Sequence, residues 1–166
     1  DGDLDLAVGG GWEPVRLYQN RGTIEGVLQF TSVYTAPVVD AVRSVAWGDY
    51  DNDGDLDLAV GNSPESGGAD QYNRIYRNDG LVAEMLQMTL VWTASITGTT
   101  HSVAWGDYDG DGDLDLAVGN AGLYNNGCSC FSGDYNRLYR NDGGAAGAPQ
   151  MTLVWTAPMT DTTRSV

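Results

Sequence analysis

The stretch Ser44-Val-Ala-Trp-Gly-Asp-Tyr-Asp-Asn-Asp-Gly-Asp-Leu-Asp-Leu-Ala-Val-Gly-Asn62 returns at residues 102–120 with a single change, Asn52 becoming Gly110. Repetition this close means the chain is assembled from units that pack against versions of themselves, and so overrides the single-domain prior that 166 residues would suggest. A partial third version opens the chain as Asp1-Gly-Asp-Leu-Asp-Leu-Ala-Val-Gly9, and Arg164-Ser-Val166 repeats the residues that introduce the motif at Arg43. The units expected are 1–43, lacking its first strand, then 44–101 and 102–163, with a further repeat beginning at 164–166. The sequence therefore reads as part of something larger.

Internal alignment divides each unit into four short segments. The first is 44–49 and 102–107; the second is 3–9, 55–61 and 113–119. The third reads Val-Arg-Leu-Tyr-Gln-Asn at 15–20, Asn-Arg-Ile-Tyr-Arg-Asn at 73–78 and Asn-Arg-Leu-Tyr-Arg-Asn at 136–141. The fourth is Gln-Met-Thr-Leu-Val-Trp-Thr-Ala at 87–94 and again at 150–157, with 29–36 as a looser version. Alternation makes these strands: Leu56, Leu58 and Val60 take one face, while Asp57, Ala59 and Gly61 take the other. No segment has a helical period. Four antiparallel strands in each unit of roughly 50 residues predict an all-β chain of β-propeller blades, about three blade equivalents of a larger propeller or array. Trp47, Trp105, Tyr76 and Tyr139 are read as packing between blades, and Arg74, Arg77, Arg137 and Arg140 as structural ion pairs across them.

Loop lengths separate scaffold from variable surface. The connection after strand four is 37–43, 95–101 and 158–164, and that between strands three and four is 21–28, 79–86 and 142–149, each of constant length. Only the link from strand two to strand three changes, at 11–14, 63–72 and 121–135. Strand alternation puts these variable links on the rim opposite the aspartate loops. They carry Trp12, Tyr72, Tyr124, Phe131 and Tyr135, aromatic side chains suited to a protein or carbohydrate ligand. Cys128-Ser-Cys130 sits in the longest of them and reads as a local disulfide.

The loop Asp49-x-Asp51-x-Asp53-Gly54-Asp55-x-Asp57 repeats as Asp107-x-Asp109-x-Asp111-Gly112-Asp113-x-Asp115. Four carboxylates in one tight turn repel each other unless a cation neutralises them. Hard oxygens at this spacing, with glycine at the sharp turn, suit Ca2+; zinc is disfavoured because no His or Cys is present. Asp49, Asp51, Asp53 and Asp57 are assigned side-chain roles and Asp55 a main-chain carbonyl role. In the next loop Asp107, Asp109, Asp111 and Asp115 match the former and Asp113 the latter, while Asp1, Asp3 and Asp5 form an incomplete first site. An EF-hand is excluded, because its bidentate glutamate would fall at Val60 or Val118.

The net charge of -15 has the same local origin. Of 19 aspartates, 13 lie in the three loop versions, and the remaining 10 acids face 8 arginines. With no basic footprint, nucleic acid is not expected as a partner. No run of about 18 apolar residues exists, so no membrane span is expected either.

The motif Trp-Gly-Asp-Tyr-Asp-x-Asp-Gly-Asp-Leu-Asp-Leu-Ala-Val-Gly closely resembles the FG-GAP and VCBS repeats of integrin α-like propellers and bacterial surface proteins. That resemblance covers essentially the whole chain. It implies a calcium-binding propeller, extracellular, on the cell surface or periplasmic, serving cell adhesion or protein and carbohydrate binding without being an enzyme. The alternatives are the body of a polysaccharide lyase, against which the lack of lysine and the single His101 argue, and an architectural repeat of an extracellular filament.

Overall fold

The computed structural model describes residues 4–63, 71–83, 85–125, 130–132, 134–144, 149–158 and 165–166. Its elements are β1 (Leu6–Ile24), β2 (Val27–Gly48), β3 (Asp57–Asn62), β4 (Arg74–Val82), β5 (Met85–Thr93), β6 (Thr100–Gly106), β7 (Asp115–Asn120), β8 (Leu123–Asn125), β9 (Cys130–Ser132), β10 (Arg137–Asn141) and β11 (Met151–Thr156). Two antiparallel meanders repeat one order. The C-terminal half of β2 pairs with β3, β3 with β4 and β4 with β5; β6, β7, β10 and β11 follow the same sequence. Registers agree residue for residue, with Trp47 opposite Leu58 and Trp105 opposite Leu116, then Tyr76 opposite Leu58 and Tyr139 opposite Leu116. These are blade-like repeats whose sheets do not close on each other.

The first unit departs from the expected pattern. Asn20 N–H donates to the Asp5 carboxylate at 2.9 Å, although fifteen extended residues would separate them by about 50 Å. The N-terminal end of β1 therefore turns back toward Asn20 instead of running straight, and Trp12 between them holds φ 59°. Residues 37–43, read as a connection, are instead part of β2, with Val39, Asp40 and Ala41 opposite Pro14, Glu13 and Gly11. The short 11–14 link keeps first-unit backbone beside this connection and gives its polar groups strand partners. The longer 121–135 link, read as a loop, contains the β8–β9 hairpin. β4 and β5 also run further than expected, reaching Val82 opposite Met85.

Strand β3 forms the wall between two cores, because alternation sends its side chains to opposite neighbours. Leu58 and Val60 pack on Val15, Leu17, Ala36 and Val42 of the first unit. Ala59 turns the other way and, with Tyr50 and Ile75, meets Val103, Leu116, Val118 and Tyr139 of the third. Burying each large apolar side chain here is worth roughly 1.5–3 kcal/mol. Trp105 closes this boundary: its Nε1–H donates to the Ala46 carbonyl at 3.1 Å, and its ring stacks on Tyr50 with centroids 6.2 Å apart. Gly48 admits it, since a Cβ there would lie 2.5 Å from Trp105 Cδ1. Trp92 meets Tyr139 edge-on at 5.2 Å. Val103 N–H donates to Ser44 Oγ at 3.1 Å, and Val166 N–H repeats this contact on Ser102 Oγ at 3.2 Å.

The arginines bond more locally than expected. Arg77 pairs with Asp79, Arg140 with Asp142 and Arg137 with Asp134, each within its own unit. Residues two apart on a strand share a face, so Asp79 and Asp142 lie within immediate reach of the arginines before them. Of the four, Arg74 alone has a described ion pair that crosses the 43/44 boundary, to Asp40.

Candidate metal centre

Strand one ends at Gly48 and strand two begins at Asp57, leaving 49–56 to turn as a loop. Its own carboxylates curl it. Asp49 accepts from the main-chain N–H groups of Asp53 and Gly54, both at 3.1 Å, and Asp53 accepts from Asp55 N–H at 2.9 Å. Gly54 supplies φ 96° at the sharpest point, a value costly for a residue with a Cβ. The second loop is built alike: Asp107 accepts from Gly110 and Gly112 at 2.7 and 3.2 Å, and Asp111 accepts from Asp113 at 2.9 Å.

The last acid of each loop is locked from both sides. Asp57 is fully buried and accepts from Tyr50 N–H at 3.1 Å and Asn78 N–H at 2.8 Å. Asp115, also fully buried, accepts from Tyr108 N–H and Asn141 N–H, each at 2.9 Å. The turn then brings Asp49, Asp51 and Asp57 together, each with a carboxylate oxygen within 4.8 Å of the others; Asp107, Asp109 and Asp115 gather in the same way.

This donor set fits a hard cation. Asp51 Oδ1 is buried without a hydrogen-bond partner, and leaving such an atom unmatched costs about 1–3 kcal/mol or more when charged. Burial, reinforced by Asp51 and Asp53, pushes the Asp57 carboxyl up to about 7 despite its two N–H donors. Burial and then the Asp53 charge push Asp51 upward; lost solvation and Asp111 do the same to Asp109. A bound cation reverses each of these costs by favouring the ionised form. Carboxylate oxygens alone, with no nitrogen or sulfur, match calcium better than zinc.

The other acids of the motif stand outside these three-carboxylate groups. Asp53 and Asp111 brace their turns, the Asp55 side chain is exposed, and Asp113 accepts from Asn52 Nδ2 at 2.9 Å. Asp5 repeats the final-acid bond to an asparagine N–H, while Asp1 and Asp3 lie outside the described residues. Sequence reasoning missed Asn78, Asn141 and Tyr50 as supports of the site. The recurrence of asparagine at 20, 78 and 141 was the available signal.

On the opposite rim Trp12 and Tyr135 are each 43% exposed. Tyr72 is half-buried, its carbonyl accepting from Asn62 Nδ2 at 2.7 Å. Tyr124 and Phe131 are paired through their backbones in β8–β9, and their side chains are outside the described set. Cys128 is outside it too, and with it the disulfide expected with Cys130.

Among the described residues no helix is long and apolar enough to cross a membrane. A family model described as FG-GAP-like repeat matches residues 1–60 and 66–118. No curated protein matches the chain.

Proposed function

The chain belongs to the FG-GAP-like repeat family, and from that premise we propose a calcium-stabilised, non-catalytic module of β-propeller type, working outside the cytoplasm in adhesion or in binding a protein or carbohydrate. The observation that carries this reading is the buried, unpartnered Asp51 Oδ1 inside a carboxylate group built twice. Asp49, Asp51 and Asp57 would hold one ion and Asp107, Asp109 and Asp115 another. The Asp53 and Asp111 side chains and the Asp55 and Asp113 carbonyls are available to complete the two shells, and Asp1, Asp3 and Asp5 offer a partial set in the first unit. When bound, the ion supplies neutralising charge. The chain's own residues do the rest: Asp49 and Asp107 shape the turns, and Tyr50, Asn78, Tyr108 and Asn141 orient the final acids.

The rim carrying Trp12, Tyr72, Tyr124, Phe131 and Tyr135 is the proposed ligand surface, since aromatic side chains stack on sugars or anchor protein partners at low entropic cost. A second partner is another unit of the same repeat. Ala46, Gly48 and Tyr50 hold Trp105, whereas the matching hollow on the third unit, lined by Ala104, Gly106, Tyr108 and Leu138, is open. Its shape suits the indole of a further blade.

The decisive experiment is calorimetric melting with calcium and with chelator. Calcium at ten times Kd adds about 1.4 kcal/mol per site, so two sites should raise Tm by roughly 6–11 °C. A melt that chelator leaves unchanged would overturn the calcium assignment. Glycan and protein arrays, with Trp12→Ala and Tyr135→Ala as controls, test the ligand rim.

A further inference from the structure

We infer that the two aspartate loops are coupled across the boundary between units, so that an ion in one raises the affinity of the other. This rests on the calcium reading above and goes beyond it by assigning a route.

A continuous chain of hydrogen bonds joins the two carboxylate groups. Asp57 accepts from Tyr50 N–H at 3.1 Å; the Tyr50 carbonyl accepts from Asn141 Nδ2 at 2.8 Å; Asn141 N–H donates to Asp115 at 2.9 Å. Asp57, Tyr50, Asn141 and Asp115 are all buried, so water does not compete for these bonds. Tyr50 lies between Asp49 and Asp51, and its peptide units fix where both of those carboxylates stand. Asn141 thus grips the second unit's loop with its side chain and the third unit's final acid with its backbone. Its counterpart Asn78 makes no such reach among the described residues, spending its amide on the Leu56 carbonyl of its own unit at 3.3 Å.

A second tie runs nearer the surface. Asn52 Nδ2 donates to Asp113 at 2.9 Å, so the one residue that differs between the two motifs bonds the loop of the next unit. Asn52 holds φ 59°, a conformation that asparagine tolerates and glycine adopts freely. The loops face each other across a cleft of about 330 Å³ lined by Asp51, Asp53, Asp113 and Asn141.

The sign follows from ordering. An ion that fixes Asp49, Asp51 and Asp57 fixes the Tyr50 peptide, which fixes Asn141 and through it Asp115. The second ion then meets a loop whose ordering cost has been met, which is positive coupling, and linkage makes it reciprocal.

The test is calorimetric titration of the chelator-treated full chain with calcium alone, beside Asp51→Asn and Asp109→Asn, each of which leaves one loop intact. Each remaining loop should bind at least about five-fold more weakly than it does with its neighbour functional. Asn141→Ala removes the amide tie while keeping the N–H to Asp115, and should reduce that difference to the part carried by the Asn52 tie, with both loops still binding. No calcium uptake by any form would overturn the cation reading itself. Two ions bound in the wild type, with single-loop variants unchanged in affinity, would overturn the coupling alone. Coupling undiminished in folded Asn141→Ala would overturn the route. If circular dichroism finds Asn141→Ala unfolded, Asn141→Ser, whose shorter side chain lacks the amide that reaches the Tyr50 carbonyl, decides the route: weakened coupling supports it and unchanged coupling overturns it.

Discussion

Tyr50 and Tyr108 occupy the same position of nearly identical motifs, yet Tyr50 is 1% exposed and Tyr108 is 49%. Everything local is shared: both follow Asp in the loop and both donate N–H to the final acid. What differs is the neighbour. Tyr50 lies under Trp105 of the next unit, and among the described residues no ring stacks on Tyr108 in the same way. A blade's sequence therefore sets its strands and its loop, while the adjoining unit sets its burial and much of its stability, as expected where stability is a sum of unit and interface contributions.

That contrast can be broken by substitutions at matched positions. Tyr50→Ala should cost about 3–5 kcal/mol in urea unfolding, as other buried aromatic truncations do, and Tyr108→Ala should stay within about 0.5 kcal/mol. Equal losses would mean that the interface between the second and third units is not what buries Tyr50.

A carboxylate that changes address gives the next largest effect. Arg74 is paired with Asp40, whereas Arg137 is paired with Asp134, and the residue matching Asp40 is Gly98. A side chain at 98 would meet Asp134 Oδ2 at 2.9 Å, so one niche holds one carboxylate, delivered from either side. Asp40→Ala leaves a largely buried guanidinium unmatched and should cost about 3 kcal/mol. In the third unit Asp134→Gln and Gly98→Asp should each destabilise. Together they recreate the second unit's Asp40 and Gln71, so most of the loss should return in the double variant, a non-additivity that a double-mutant cycle reads directly.

Smaller still is the response at the glycines before the loops. Gly48→Ala drives a methyl into Trp105 and should cost about 1–3 kcal/mol. Gly106→Ala, with nothing within 4 Å of the added carbon, should be neutral within about 0.5 kcal/mol in the same assay.

The sequence made the strands and aspartate loops legible because repetition supplies an alignment inside one chain: periodicity located strand two, and loop spacing located the carboxylates. It could not show that 37–43 pairs as strand, since that depends on how close the short 11–14 link holds the first unit. Nor did it show that the Arg137 partner comes from Asp134, three residues away in the variable link, while Arg74 draws on Asp40. Cross-unit bonds such as Asn141 to Tyr50 depend on the stacking distance of two units, which no single motif encodes. Repeats thus announce what they share and conceal what their contact creates.

A last contrast lies in the pH dependence of the second unit, and its sign reverses with calcium. In the metal-free chain burial pushes the Asp57 carboxyl up to about 7, above its ordinary value of 3.8. The folded state thus holds that proton more tightly than the unfolded chain does. Its stabilising contribution is complete below about pH 4 and is lost as pH rises through about 7. Chelator-treated protein should therefore melt higher at pH 5 than at pH 7.5, and Asp57→Asn, which carries no titrating proton, should flatten that slope. With calcium present the ion competes with the same proton, so affinity should climb over the same interval. A metal-free melt that rises with pH between 5 and 7.5 would show that the Asp57 site is open to water.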